Sequence, residues 1–150
     1  MKRIISFVLL LVMMVNIFPL KSTAEEYAED TISLGNGCYI AVEIVENNIR
    51  TSGSKTASKK YTYYDSDDVS QWTAVLTGTF TYTGSSAACT SSSVSTTIYD
   101  SSWTVVSKSA SKSGNTASAY VKMGDTVAGV VATIVPISLT LSCDANGNLS

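Results

Sequence analysis

The sequence contains no histidine. That excludes Ser-His-Asp and Cys-His catalytic arrangements and every His-ligated metal site. Charge is scarce as well, at 15% of residues. Three of the ten basic residues (Lys2, Arg3 and Lys21) lie in the first 24 positions, leaving seven against twelve acidic ones, a net charge of −5. Such a balance carries no electrostatic footprint for nucleic acid or for an anionic lipid surface. Beyond residue 24 the only proline is Pro136. A mucin-like stalk or Pro-rich linker is therefore excluded, although Ser and Thr are abundant. Long hydrophobic runs are missing from the same region. Val127 to Leu141 covers 15 residues, is interrupted by Gly129 and Pro136, and falls short of the roughly 20 needed to span a bilayer.

What is present begins with a leader. Met1-Lys2-Arg3 is a basic n-region, Ile4 to Leu20 is apolar apart from Ser6 and Asn16 and is broken near its end by Pro19, and Ser22-Thr23-Ala24 supplies the small residues of a cleavage site. This reads as a secretory signal peptide over residues 1–24, cut before Glu25, and it predicts a released, extracellular protein without stable membrane insertion. The remaining 126 residues suffice for one domain. Residues 25–36, with Glu25, Glu26, Glu29 and Asp30, read as an acidic, loosely attached N-terminal arm. Residues 37–150 read as the domain.

Within the domain, period 2 dominates. From Trp72 to Thr83 the even positions are Trp72, Ala74, Leu76, Gly78, Phe80 and Tyr82, and the odd ones are Thr apart from Val75. One face is set to be buried and the other to meet water, with Thr favoured there because its β-branch suits extended backbone. Cys38, Ile40, Val42 and Ile44 alternate in the same way, as do Ala117, Ala119, Val121 and Met123. Turn signals fall at Asn47-Asn48, Asp65 to Asp68, Gly84 to Ser86, Ser101-Ser102, Gly114-Asn115 and Gly124-Asp125. Ala88 to Asp100 is weakly apolar, which predicts an edge. The last strand is apolar on both faces in its middle, which predicts a central position. Pro136 within it predicts a bulge or a change of partner. About seven strands with no helical period predict an all-β, antiparallel β-sandwich, immunoglobulin-like in its layers.

Cys38, Cys89 and Cys143 all fall in the exported part, where disulfides form. Three pairings are open. Cys89 and Cys143 sit inside strand patterns, and a bridge between them closes a loop of about 55 residues, worth roughly 4 kcal/mol in the chain-entropy model. Cys38 is then left as a buried thiol or as the link of a dimer. Thiolate catalysis lacks a histidine base, and the spacing fits no zinc site.

Two other groups draw notice. Asp65-Ser66-Asp67-Asp68 has oxygens for calcium, yet lacks the glycine and the bidentate glutamate of such loops, so an acidic turn is the simpler reading. Lys59, Lys60, Tyr61, Tyr63 and Tyr64 form an aromatic and basic cluster on a strand. Tyr61 and Tyr63 share one parity and Tyr64 the other, so at least one ring faces out. Such a ring suits contact with a glycan, a wall polymer or a protein.

The phrases Asn48 to Lys59, Tyr61-Thr-Tyr-Tyr64, Leu76-Thr-Gly-Thr-Phe-Thr-Tyr82, Cys89 to Val94 and Leu139-Thr-Leu-Ser-Cys143 resemble a family of small, uncharacterised secreted proteins of clostridia-like Gram-positive bacteria, many from the gut. The resemblance spans nearly the whole chain after the leader. It implies an exported β-domain, matches cysteines at 89 and 143, and supplies no activity. The acidic version of residues 65–69 departs from the Asn/Ser/Gly turn of that family, against a calcium site. The leading functional class is then a non-catalytic extracellular binding module, without cofactor or metal. Behind it stand a secreted antimicrobial or competition protein and a disulfide-linked structural subunit.

Overall fold

The computed structural model describes residues 26–51 and 53–150, and the leader lies outside them. Eight strands follow one another: β1 (Glu26–Gly35), β2 (Cys38–Thr51), β3 (Ser54–Tyr64), β4 (Ser70–Tyr82), β5 (Ala87–Ile98), β6 (Trp103–Ser113), β7 (Thr116–Val127) and β8 (Val130–Ser142). They form two antiparallel sheets, β1-β2-β3-β4-β5 and β6-β7-β8. The smaller sheet lies against the larger through β7 over β4 and β5 and β8 over β3 and β4. This two-layer packing is the architecture of a β-sandwich. Neighbours in each sheet are neighbours in sequence, without the Greek-key crossings that an immunoglobulin domain uses.

The core follows from the alternation. Trp72, Ala74, Leu76 and Phe80 of β4 are wholly buried, facing Ala117, Val121 and Met123 of β7 and Leu139 and Leu141 of β8. Gly78 lies in the same row beneath the Phe80 ring; a Cβ there would stand 2.6 Å from the ring Cζ. Trp72 stacks on Tyr63 (5.3 Å between centroids, 5° between planes) and meets the edge of Trp103 at 5.8 Å. On the outer face of the larger sheet, hydroxyls pair across strands, Thr56 with Thr79 (3.1 Å), Ser58 with Thr77 (2.9 Å) and Thr62 with Thr73 (3.2 Å). Such cross-strand pairs hold register on a face that apolar burial does not fix.

Up-and-down connectivity gives the sandwich two distinct ends. The β1–β2, β3–β4, β5–β6 and β7–β8 turns gather where Trp72 and Trp103 meet, here the tryptophan end. The other turns share the opposite end with the C-terminal residues, where the Gly84 amide donates to the Ala145 carbonyl.

Several sequence expectations are corrected. Eight strands form, not seven, because residues of the acidic arm pair with β2 as β1, placing Ile32 opposite Ile40. The Asn47-Asn48 turn is absent, and β2 runs through to Thr51. Gly124-Asp125 is not a turn either. Gly124 lies inside β7, where glycine fits because a Cβ would stand 2.9 Å from Val106 Cγ2 and 3.0 Å from Val131 Cγ1. The chain reverses instead at Ala128-Gly129, both at positive φ (51° and 78°), a pairing that suits a two-residue hairpin. β8 is an edge strand, not a central one. Its first residues are apolar and exposed, so hydrophobicity there did not signal burial. Pro136 pairs with Lys122 without a register shift, which an edge tolerates because its outer side needs no ladder donor. The expected edge position of β5 holds.

Candidate functional site

The cysteine bridge is the first expectation to meet the geometry. Cys89 and Cys143 lie close in the fold, since their amides donate to the carbonyls of the consecutive residues Gly114 (2.8 Å) and Asn115 (3.1 Å). The bridge is nevertheless not formed, and Cys38, Cys89 and Cys143 are all free thiols. Each inner thiol turns to a carbonyl of its own segment: Cys89 Sγ donates to Ser91 O at 3.2 Å and Cys143 Sγ to Asp144 O at 3.5 Å. Burial raises both thiol pKa values above the ordinary one, away from reactivity. Cys38 is half-buried beside Tyr63.

The aromatic and basic cluster is divided between the two faces of β3. Lys59, Tyr61 and Tyr63 lie on the inner face, opposite Leu76, Ala74 and Trp72. Burial, together with the neighbouring Cys38, pushes the Tyr63 phenol up to about 12, and burial raises Tyr61 too. Lys60 and Tyr64 lie on the outer face. There Tyr64 stacks on Tyr39 at 5.0 Å and 13°, and Lys60 pairs with Glu43 at 3.1 Å, the bond that raises the lysine pKa. Thr73 Oγ1 donates to the hydroxyl of exposed Tyr99 at 3.2 Å. This outer group is a platform in which Lys60 is engaged by Glu43 and the Tyr99 hydroxyl by Thr73.

In the acidic turn, Asp65 Oδ1 accepts from the amides of Asp67 and Val69, and Oδ2 accepts from Gln71 Nε2 at 2.6 Å. The carboxylate thus shapes the turn. Among the described residues no group of three cysteine, aspartate or glutamate side chains is arranged to hold a metal.

A different site emerges at the C-terminal end of the inner face. A cavity of about 340 Å³ is lined by Ile44, Glu46, Lys55, Tyr82, Asn146, Gly147, Asn148 and Leu149. Lys55 Nζ stands 3.1 Å from Glu46 Oε1, and both side chains are only 12% exposed. The same ammonium lies 5.8 Å from the centre of the Tyr82 ring. Ile44 and Leu149 supply apolar lining.

The roof is the loop after β8. Asp144 Oδ1 accepts from the amides of Asn146 and Asn148, and its Oδ2 accepts from Asn148 Nδ2 at 2.7 Å. These bonds hold the Asp144 carboxyl below its usual range. Gly147, at φ 86°, sits on the Tyr82 ring so closely that a Cβ would come within 2.9 Å of it. Leu149 then pairs with Cys143. The site escaped the sequence reading because its parts come from β2, β3, β4 and the C-terminal loop. The one local signal was Asp144-Ala-Asn-Gly-Asn148, a run of turn formers.

No protein-family model, curated protein or solved structure matches the chain.

Proposed function

We propose that the protein is a non-catalytic extracellular binding module whose cavity takes the terminal residue of a neutral saccharide. The observation that carries this reading is the Lys55–Glu46 pair inside the cavity. Partly buried ions cost desolvation energy, and a structural core has cheaper ways to fill such a space. Here the two charges cancel, so the cavity has no net charge with which to attract an ionic ligand. It keeps a carboxylate acceptor, an ammonium donor, two asparagines and an aromatic ring within one small volume. Ligand sites of this size combine an apolar lining with a few converging polar groups. A sugar ring offers what they match: hydroxyls that both donate and accept, and C–H faces for Tyr82 and Leu149. Export by the leader supports an extracellular setting, and the resemblance to exported β-domains agrees with it.

The test is titration calorimetry of the full domain against a panel of neutral mono- and oligosaccharides, with Glu46→Gln and Asn146→Ala alongside. Saturable binding to one sugar class, weakened by about tenfold in each variant, is expected from the loss of one hydrogen bond to a charged or polar partner. Binding that both variants retain in full would remove the cavity from the argument.

A further inference from the structure

Ten of the eleven exposed large apolar residues among the described ones lie within about five residues of a turn at the tryptophan end, and the eleventh is Tyr120. They are densest on the β7–β8 hairpin, where Val127 is 64% and Val130 68% exposed, with Val131 and Ile134 beside them. A soluble domain rarely gathers apolar surface at one place without a use for it. The charges of this end lean the same way: within the same reach the one base among the described residues is Lys60, which is paired with Glu43. Asp65, Asp67, Asp68, Asp100 and Asp125 stand in or next to its turns, and residues 34–38, 65–70, 98–104 and 124–134 contain no lysine or arginine. Asp65 and Asp125 come from different sheets and both act on Tyr63, so the rim joins across the end. Thr126 donates its amide (2.7 Å) and its hydroxyl (2.6 Å) to the Ser102 carbonyl, tying the hairpin to the Asp100 turn.

We infer that the tryptophan end docks a basic segment of a partner protein whose apolar side chains cover the β7–β8 hairpin. Charge complementarity selects this occupant. A second copy would set five aspartates against five aspartates, and an anionic lipid surface would meet the same repulsion. A segment alternating lysine with valine places its apolar side chains on the hairpin and its ammonium groups toward the aspartates. The hairpin also offers an open backbone edge along β8 ahead of Pro136, which an extended segment can pair with.

The probe is a fluorescent peptide alternating Lys and Val, measured by anisotropy against the full domain, with an alternating Glu and Val peptide as its counterpart. The proposal expects saturable binding of the lysine peptide only. Binding should weaken by about threefold or more when salt is raised to shorten the screening length. It should fall about tenfold or more in the Val127→Ser, Val130→Ser double variant, through lost apolar burial. Asp67→Asn with Asp68→Asn should weaken it severalfold, while Asp30→Asn, a charge removed from β1 away from this end, should leave it unchanged. Equal binding by the double-serine variant, or an equal loss in Asp30→Asn, overturns the docking site. So does sedimentation that shows a dimer abolished by the serine substitutions, or flotation of the domain with zwitterionic vesicles. Thermal unfolding of each variant separates lost binding from lost folding.

Discussion

Replacing Gly78 with alanine tests the packing between the sheets at its tightest point. Gly78 lies mid-strand at a φ that any residue adopts, since it is not among the glycines of positive φ. In an ordinary strand the change would stabilise by about 0.5–1 kcal/mol, because alanine leaves the unfolded chain less freedom to lose. Here the added Cβ would meet Phe80 Cζ at 2.6 Å, Phe80 Cε2 at 2.7 Å and Ala117 Cβ at 3.0 Å. The ring cannot swing aside freely, because Phe80 is wholly buried. Overpacking of this kind costs about 1–3 kcal/mol, so the net loss is roughly 0.5–2 kcal/mol. Urea unfolding, followed by tryptophan fluorescence, should show the midpoint fall with an unchanged slope. A second mutation sharpens the argument. Phe80→Ala alone should cost about 3–5 kcal/mol. In that background Gly78→Ala should become neutral or stabilising, giving a coupling of about 1–3 kcal/mol. If Gly78→Ala stabilises the protein with Phe80 in place, the ring does not lie over the glycine and the sheet contact is misread.

The remaining predictions concern the loop, the thiols and pH. Gly147→Ala should lift the C-terminal loop from Tyr82, because φ is 86° and the Cβ would stand within 2.9 Å of the ring; faster amide exchange at Asn146 and Asn148 with β4 unchanged would report this. Alkylation of the native domain at neutral pH should modify Cys38 first, with buried Cys89 and Cys143 protected until urea and reductant are added. Stability should fall as pH rises above about 8.5, the ordinary thiol range. Cys89, Cys143, Tyr61 and Tyr63 have folded pKa values raised by burial, and Lys60 one raised by Glu43, so each holds its proton more tightly folded than unfolded. The acid side follows the opposite sign: the depressed pKa values of Asp100 and Asp144 stabilise above the ordinary carboxylate range and cease to as pH falls through the folded values. Circular dichroism melts across the pH range check both arms, and a melting temperature that climbs from neutral pH to pH 10 would contradict the alkaline one.

The sequence made the individual strands legible where alternation is local. In β4 the predicted row is buried from Trp72 to Phe80, with Tyr82 half-buried. The row expected to meet water is mostly half-buried and Thr73 in it is buried, because Thr73, Thr77 and Thr79 pair their hydroxyls across the outer face with Thr62, Ser58 and Thr56. Sheet position was harder to read, because it depends on what packs against a strand. β8 looked central from its apolar middle, yet its first half projects beyond the core as an edge. Gly124 read as a turn because a glycine needed for close packing looks the same in sequence as one needed for its φ. The tyrosine cluster split as its parity required, but which face met the core was set by the second sheet. The cavity had no sequence signature, since Glu46 and Lys55 are ordinary strand residues until the C-terminal loop closes over them.

The sequential order of the strands bears on how the chain acquires its shape. Every ladder in both sheets joins a strand to the next one in the chain, across a turn of a few residues. Closing such short loops costs little entropy, so each hairpin can start on its own and none must wait for a distant partner. Among the described strands, β5 and β6 are the only consecutive pair not joined in one ladder, and they belong to different sheets. A chain emerging from its N-terminus can therefore complete the larger sheet before β6 exists. The three later strands then arrive as a lid that seals an apolar face already laid out in register.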